Sequence, residues 1–259
     1  MKTVAIIPAR MAASRFPGKP MADINGMPMI GHCYLRALMC NLLDDVYVAT
    51  CDQIIHDYIT SINGKSVMTS DSHERACDRA TEAMLKIEEE HNERIDILAM
   101  LQGDEPMVTS KIIGEAIKPL IENENINITN LYKEINSVNE FESPNAVKVV
   151  IDKNSDAIYF SREPIPSRRQ GVTNVPMFQQ MGIINFRRDY LIKFNEMKPT
   201  ELEKIESVDM NRIIACAQKI RMVYSEDESF SVDTEEDLNN IIEIMKDDPL
   251  VQSYLIPNK

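Results

Sequence analysis

Residues 3–8 read TVAIIP, and the reading of this stretch decides the fold. A continuous apolar run, without the polar alternation of a half-exposed strand, marks a β-strand buried on both faces, as in a parallel sheet. The chain then turns abruptly polar and basic. Residues 9–19, ARMAASRFPGK, gather Arg10, Arg15 and Lys19 around Ser14 and Gly18.

The same signature recurs downstream. Strand-like runs at 46–50, 65–69, 95–101 and 126–131 alternate with helical spacing at 29–42, 52–61, 73–90 and 111–122. Strand–helix alternation with apolar strands predicts an α/β fold: a mainly parallel sheet with helices on both faces. Beyond about residue 140 the pattern changes. Strands at 146–151 and 157–161 follow one another across a short turn, then come a Pro/Arg-rich loop at 162–170 and a strand at 180–186. Antiparallel pairing is expected here, as an inserted β arm at 150–190. Helices at 188–196 and 201–218, a strand at 220–224 and a last helix from 234 to 247 complete the reading. No repeat, low-complexity linker or composition break divides the chain, so one domain over 1–259 is expected.

Composition narrows the function classes. The 259 residues are 44% hydrophobic and 27% charged, enough for a sizeable core under an ordinary surface. No apolar run has the roughly 18–20 residues a membrane span needs. The start, MKTVAIIPAR, runs too quickly into arginine and proline for a secretory signal, so the cytoplasm is the expected compartment. Cys33, Cys40, Cys51, Cys77 and Cys216 are odd in number and lack CxxC spacing, which suggests buried thiols rather than a disulfide frame or structural zinc. A net charge of −13 argues against nonspecific contact with nucleic acid or anionic membranes. It leaves room for a small polyanion held by one local basic cluster.

Three stretches can carry chemistry. The basic loop after the first strand lies beyond a carboxyl end, where open α/β sheets bind ligands. Three cations with small residues suit a polyphosphate, although the loop is neither a GxxxxGK[ST] nor a GxGxxG motif. The alternative is a merely solvated loop. LQGDEP at 101–106 places Asp104 beyond another strand, either as a turn aspartate or as a Mg²⁺ ligand. In SVDTEEDL, Asp233 precedes a helix and is either its cap or a second metal carboxylate. His32, His56 and His91 read as structural or exposed, His73 as the one site candidate, and the 16 methionines as core filling.

IIPARMAASRFPGKP, QGDEP, PNAVKVV, YFSREPIP, MGI, LEKIESVDM and FSVDTEEDL occur in that order over residues 3–240. Together they resemble the cytidylyltransferases that make CMP-activated ulosonic acids, and most of all the branch that activates 3-deoxy-manno-octulosonate. The resemblance implies a Rossmann-like nucleotidyltransferase fold and, with Mg²⁺, conversion of CTP and an ulosonate to a CMP-sugar and pyrophosphate for surface polysaccharide synthesis. It implies that Arg10, Ser14, Arg15 and Lys19 hold the triphosphate and that Pro8, Ala9 and Gln102 line the nucleotide pocket. Asp104 and Asp233 would bind metal, with Arg10, Lys19 and these two aspartates forming the catalytic set. Arg162, Gln180, Glu203 and Glu206 would face the acceptor, and the arm would serve a homodimer.

The chain departs from that pattern near its ligands. Where relatives read roughly H-x-S-G-T-E-R, residues 73–79 read HERACDR. Asp78 and Arg79 keep the acid and final arginine, but the Ser-Gly pair has become Arg75-Ala76. Arg75 either contacts the nucleotide or acceptor, or begins a helix and points to solvent. Gln180 replaces a histidine and Met210 a glutamine. Such swaps change hydrogen bonding where an acceptor is selected, leaving an amino-octulosonate, a nonulosonate or a phosphonate as alternative acceptors. A sugar 1-phosphate with another nucleotide is a further rival, as is a non-catalytic nucleotide-sugar-binding protein.

Overall fold

In the computed structural model, residues 1–12, 16–168, 175–227 and 230–255 are described. The chain divides into two compact units, Met1–Gly114 with Ser229–Lys259, and Glu115–Glu228. The sequence offers no linker at the first boundary because Gly114 and Glu115 are consecutive residues inside one helix.

The first unit opens with β1 (Thr3–Ala9), then a small hairpin of β2 (Asp23–Ile24) and β3 (Met27–Pro28). Helix α1 (Met29–Leu38), β4 (Asp45–Thr50), α2 (Gln53–Ser61), β5 (Ser66–Met68), α3 (Ala76–His91) and β6 (Ile97–Met100) follow. The chain leaves this unit within α4 (Ser110–Glu122). Its four main strands run parallel in the order β6-β1-β4-β5, with Val4 beside Asp45 on one side and Leu98 on the other. Val4, Ala5, Ile6 and Ile7 are fully buried, as the opening apolar run predicts. Each buried valine or isoleucine side chain contributes about 1.5–3 kcal/mol.

This strand order creates a crevice. From β1 the chain steps to β4 and β5 on one side, then crosses back to place β6 on the other. The loops leaving β1 and β6 therefore diverge, and ligands bind at such a switch point, outside the carboxyl ends of the strands.

The second unit contains β7 (Ile128–Glu134), α5 (Val138–Glu142), β8 (Lys148–Ile151), β9 (Ala157–Ser161) and β10 (Phe178–Arg187). Helices α6 (Arg188–Glu196), α7 (Glu201–Glu206) and α8 (Met210–Ala215) precede β11 (Arg221–Tyr224). Strands β8 and β9 form an antiparallel hairpin, and β10 pairs antiparallel with both β8 and β7, while β11 lies parallel to β7. This is the antiparallel departure expected for the arm. The single helix expected at 201–218 is two: Ser207 adopts a left-handed conformation at φ 52° and ends α7, and α8 begins at Met210.

The chain returns to the first unit for α9 (Glu235–Lys246) and α10 (Pro249–Leu255). The second of these was not foreseen. Arg36 of α1 is buried and reaches α10 through Tyr254 and the preceding Asp248. His32 completes the contact, with Nδ1 2.7 Å from the Tyr254 hydroxyl and Nε2 2.9 Å from the Ile24 carbonyl. His32 is therefore structural, as are His56 and His91, which bond Ser66 and Tyr47. All five cysteines are free thiols.

Candidate active site

A cavity of about 320 Å³ opens at the switch point of the first unit. Pro8, Ala9 and Arg10 from the end of β1, Lys19 from the loop after it, Gln102 and Asp104 after β6, and Asp233 before α9 all line it. Seven of the residues expected around the nucleotide and metal thus converge on one wall set. Ser14 and Arg15 lie outside the described residues.

Local backbone chemistry explains the convergence. Met11 N–H donates to Asp52 at 2.8 Å, fixing the basic loop to the end of β4. Gly18 N–H donates back to the Met11 carbonyl at 2.9 Å, closing the loop at its neck. Gly18 does so at φ 78°, a left-handed conformation that glycine adopts without the Cβ clash. Its carbonyl then accepts from Met21, starting the short turn that aims Lys19 inward. On the facing loop, a Cβ on Gly103 would stand 3.1 Å from the Pro8 carbonyl and 3.3 Å from Ile30 Cδ1. Glycine there lets the β6 loop close on the end of β1.

Lys19 is the centre of the site. Its ammonium donates to Asp104 Oδ2 at 2.6 Å and to the Val232 carbonyl at 2.7 Å, and lies 3.6 Å from Asp233 Oδ1. Val232 N–H in turn donates to the Asp104 carbonyl at 2.9 Å, so backbone pairing holds the two aspartates together. The alternative role for Asp233 goes to its neighbour: Thr234 caps α9, with Asp237 closing the capping box. Two carboxylates and a carbonyl thus gather around a cation supplied by the chain itself. That hard oxygen set suits Mg²⁺, which takes one or two protein carboxylates and completes its shell with phosphate and water.

The altered loop forms the opposite wall, through His73, Glu74, Arg75 and Ala76. Helix α3 begins at Ala76 rather than 73, and Arg79 and Glu82 hold Thr69, Ser70 and His73 against it as a loop. Arg79, Glu82 and Lys86 lie at i, i+3 and i+7, one stripe of α3. Arg79 is buried and donates to the Thr69 hydroxyl and to the carbonyls of Ser70 and His73. Glu82 accepts from Ser70 N–H at 3.0 Å and from His73 Nε2, and pairs with Lys86 at 2.8 Å. Burial opposes the charge on Glu82, but the bonds from Lys86, Ser70 and His73 override it and pull its pKa down to about 2. Arg75 both begins the helix and faces the cavity. Asp78 sits in the first turn of α3 and is not among the lining residues. Arg79 was read only as the retained arginine of the altered loop, and Glu82 had no reading in the sequence. Their signal was the charged stripe at helical spacing behind the loop.

In the second unit the expected acceptor residues divide. Arg162 and Glu206 meet: the Glu206 carboxylate accepts from Arg162 N–H at 2.8 Å, Tyr159 at 2.8 Å and Ser161 at 2.9 Å. Burial resists its ionisation, yet these three donors hold its pKa below the usual value. The Arg162 guanidinium bonds the carbonyls of Glu206, Pro144 and Ser207. Gln180 gives its amide N–H to Asn130 at 2.6 Å. Asn130 itself donates to the Met181 and Ile183 carbonyls, across the register shift in β10.

Glu203 differs from the expectation. It is 1% exposed, and both its oxygens are taken by Arg212, at 2.6 and 2.7 Å. It also closes the capping box of α7 with Thr200. Its carboxylate serves the fold, since an ion taken so far out of water needs its partner. Met210 is likewise buried. Lys148, within PNAVKVV, went unread. It is fully buried, and its ammonium bonds the carbonyls of Ser143, Ala146 and Arg162, which fixes the backbone at Arg162. Burial depresses its pKa. A lysine inside an apolar strand was the available signal.

The sequence model of the cytidylyltransferase family matches residues 4–230. Among curated relatives, the 3-deoxy-manno-octulosonate cytidylyltransferase of Geobacter metallireducens is 38% identical over 253 residues, 94% of this chain and 97% of that protein. That of Thermodesulfovibrio yellowstonii is 40% identical over 245 residues, 92% of this chain and 96% of that one. Among solved structures, CMP:2-keto-3-deoxy-manno-octonic acid synthetase complexed with CTP matches with a TM-score of 0.87 at 34% identity, over 95% of this chain and 99% of that one. The 4-diphosphocytidyl-2C-methyl-D-erythritol synthase of Anaerococcus prevotii, 14% identical with a TM-score of 0.61 over 95% of this chain and 98% of that one, shares the fold alone.

Proposed function

The chain belongs to the cytidylyltransferase family, and on that premise we propose that it transfers CMP from CTP to 3-deoxy-manno-octulosonate with release of pyrophosphate. The observation that carries the reading is the meeting of Lys19, Asp104 and Asp233 in the cavity beside Arg10 and Arg75. Arg10, Lys19 and Arg75 hold the triphosphate, with Ser14 and Arg15 assigned to it by resemblance. Pro8, Ala9 and Gln102 form the nucleotide wall; Asp78, outside the lining of the cavity, is not assigned to it. Arg162, Gln180 and Glu206 are assigned to the acceptor; Glu203 is not.

The acceptor hydroxyl attacks the α-phosphorus in line. The new oxygen–phosphorus bond forms as the bond to pyrophosphate breaks, and the hydroxyl proton leaves to solvent. Little covalent chemistry is asked of the protein, so positioning and charge neutralisation dominate. Asp104 and Asp233 would hold Mg²⁺, which neutralises developing charge on the phosphates when bound. The homodimer implied by the resemblance and the cytoplasmic location expected from the sequence belong to the same proposal. Among the described residues no helix is long and apolar enough to cross a membrane.

The test is pyrophosphate release with Mg²⁺ and each of the four nucleoside triphosphates, crossed with 3-deoxy-manno-octulosonate, its amino analogue, a nonulosonate and a phosphonate. Release with CTP and the octulosonate is expected. No release in any pairing overturns the enzyme reading, and release only with another acid overturns the acceptor.

A further inference from the structure

The ammonium of Lys19 stands where a divalent cation would be expected to stand. It bonds Asp104 Oδ2 at 2.6 Å and the Val232 carbonyl at 2.7 Å, with Asp233 Oδ1 at 3.6 Å and its own side chain only 12% exposed. We propose that Lys19 is an internal cation that exchanges with Mg²⁺ at Asp104 and Asp233, the triphosphate drawing the ammonium off the carboxylates as the metal arrives. The inference rests on the cytidylyl-transfer reading and adds an order of events to it.

Three physical points support exchange over coexistence. An ammonium and a divalent ion sharing these oxygens would lie within about 4 Å of each other, where two like charges at a protein surface repel strongly. Mg²⁺ binds oxygen at about 2.0–2.1 Å with near-octahedral demands, and it competes for the Asp104 oxygen that accepts from Lys19. The aspartates do not need the lysine to stay together, because Val232 N–H is bonded to the Asp104 carbonyl at 2.9 Å. Lys19 also has somewhere to go. Its stem is long and flexible, and Arg10 and Arg75 line the same cavity, so the released ammonium joins a ready set of phosphate-binding cations. Before nucleotide binds, the lysine offsets part of the charge of the two carboxylates and holds metal affinity down.

Exchange is tested by titrating nucleotide-free protein with Mn²⁺, following free ion by electron paramagnetic resonance. Lys19→Met is expected to bind Mn²⁺ about tenfold or more tightly than wild type, a modest fraction of what one nearby charge contributes. The gain should vanish in the Lys19→Met, Asp104→Asn double variant. Lys19→Gln, which keeps a donor without the charge, should show the same gain and serves if Lys19→Met does not fold. Equal or weaker binding in both single variants, a gain that survives loss of Asp104, or no Mn²⁺ binding to any of them overturns the exchange. Pyrophosphate release by wild type would in each case leave cytidylyl transfer standing. A metal gain without any release would sink that reading alone.

Discussion

Asp104 and Asp233 face the same ammonium from two loops remote in sequence, and this pairing is what a metal-assisted transfer needs. Asp104→Asn and Asp233→Asn should each lower kcat by about 10²-fold, the scale of removing one electrostatic stabiliser of the transition state. Steady-state rates at saturating CTP and Mg²⁺ check this, and a variant near wild type would remove that aspartate from the metal site. Lys19 and Asp104 were legible as types at strand ends, but their contact was not, because it depends on how two loops close. Asp233 was ambiguous for a local reason: an acid before a helix reads as a cap until the structure gives that role to Thr234. Glu203 was misleading because its motif neighbours Glu206 in a single short helix, yet one side chain turns to Arg212 in the core and the other to Tyr159, Ser161 and Arg162.

At the scale of elements, α3 does more than cover the sheet. Its Arg79–Glu82–Lys86 stripe binds loop 69–73 and so sets the cavity wall that carries Arg75. Glu82→Ala should raise the KM for CTP by about tenfold, consistent with losing hydrogen bonds to a charged group, while Glu82→Gln, which still accepts from Ser70, restores most of it. If KM is unmoved and only stability falls, Glu82 is structural alone. Its pKa also dictates an acid signature. The folded pKa is depressed from 4.5 to about 2, so Glu82 stabilises the protein fully above about 4.5 and loses that contribution as pH falls towards 2. Thermal melts should show wild type losing more stability than Glu82→Gln across that window. Helix and strand identities were largely legible, since hydrophobic period survives in a single sequence. Boundaries were not where side chains override the pattern: the predicted start at 73 gives way to a loop tied by Arg79, and the helix at 201–218 breaks at Ser207.

At the scale of the molecule, strand order places the chemistry. In the first unit β1 lies between β4 and β6, so the basic loop after β1 and the loop carrying Asp104 after β6 leave the sheet at a switch point. Alternation in the sequence predicts a parallel sheet but not the order of its strands, and the order is what turns a basic loop and an acidic loop into one cavity. The same logic reconciles a net charge of −13 with a polyanionic substrate, because Arg10, Lys19, Arg75 and Arg79 are concentrated on that cavity. The most direct test of cytidylyl transfer is ³¹P NMR of the purified protein with CTP, 3-deoxy-manno-octulosonate and Mg²⁺. The account predicts loss of the three CTP resonances and growth of a single phosphodiester signal with that of pyrophosphate. Unchanged CTP, or the appearance of CMP and pyrophosphate with no phosphodiester, would contradict it.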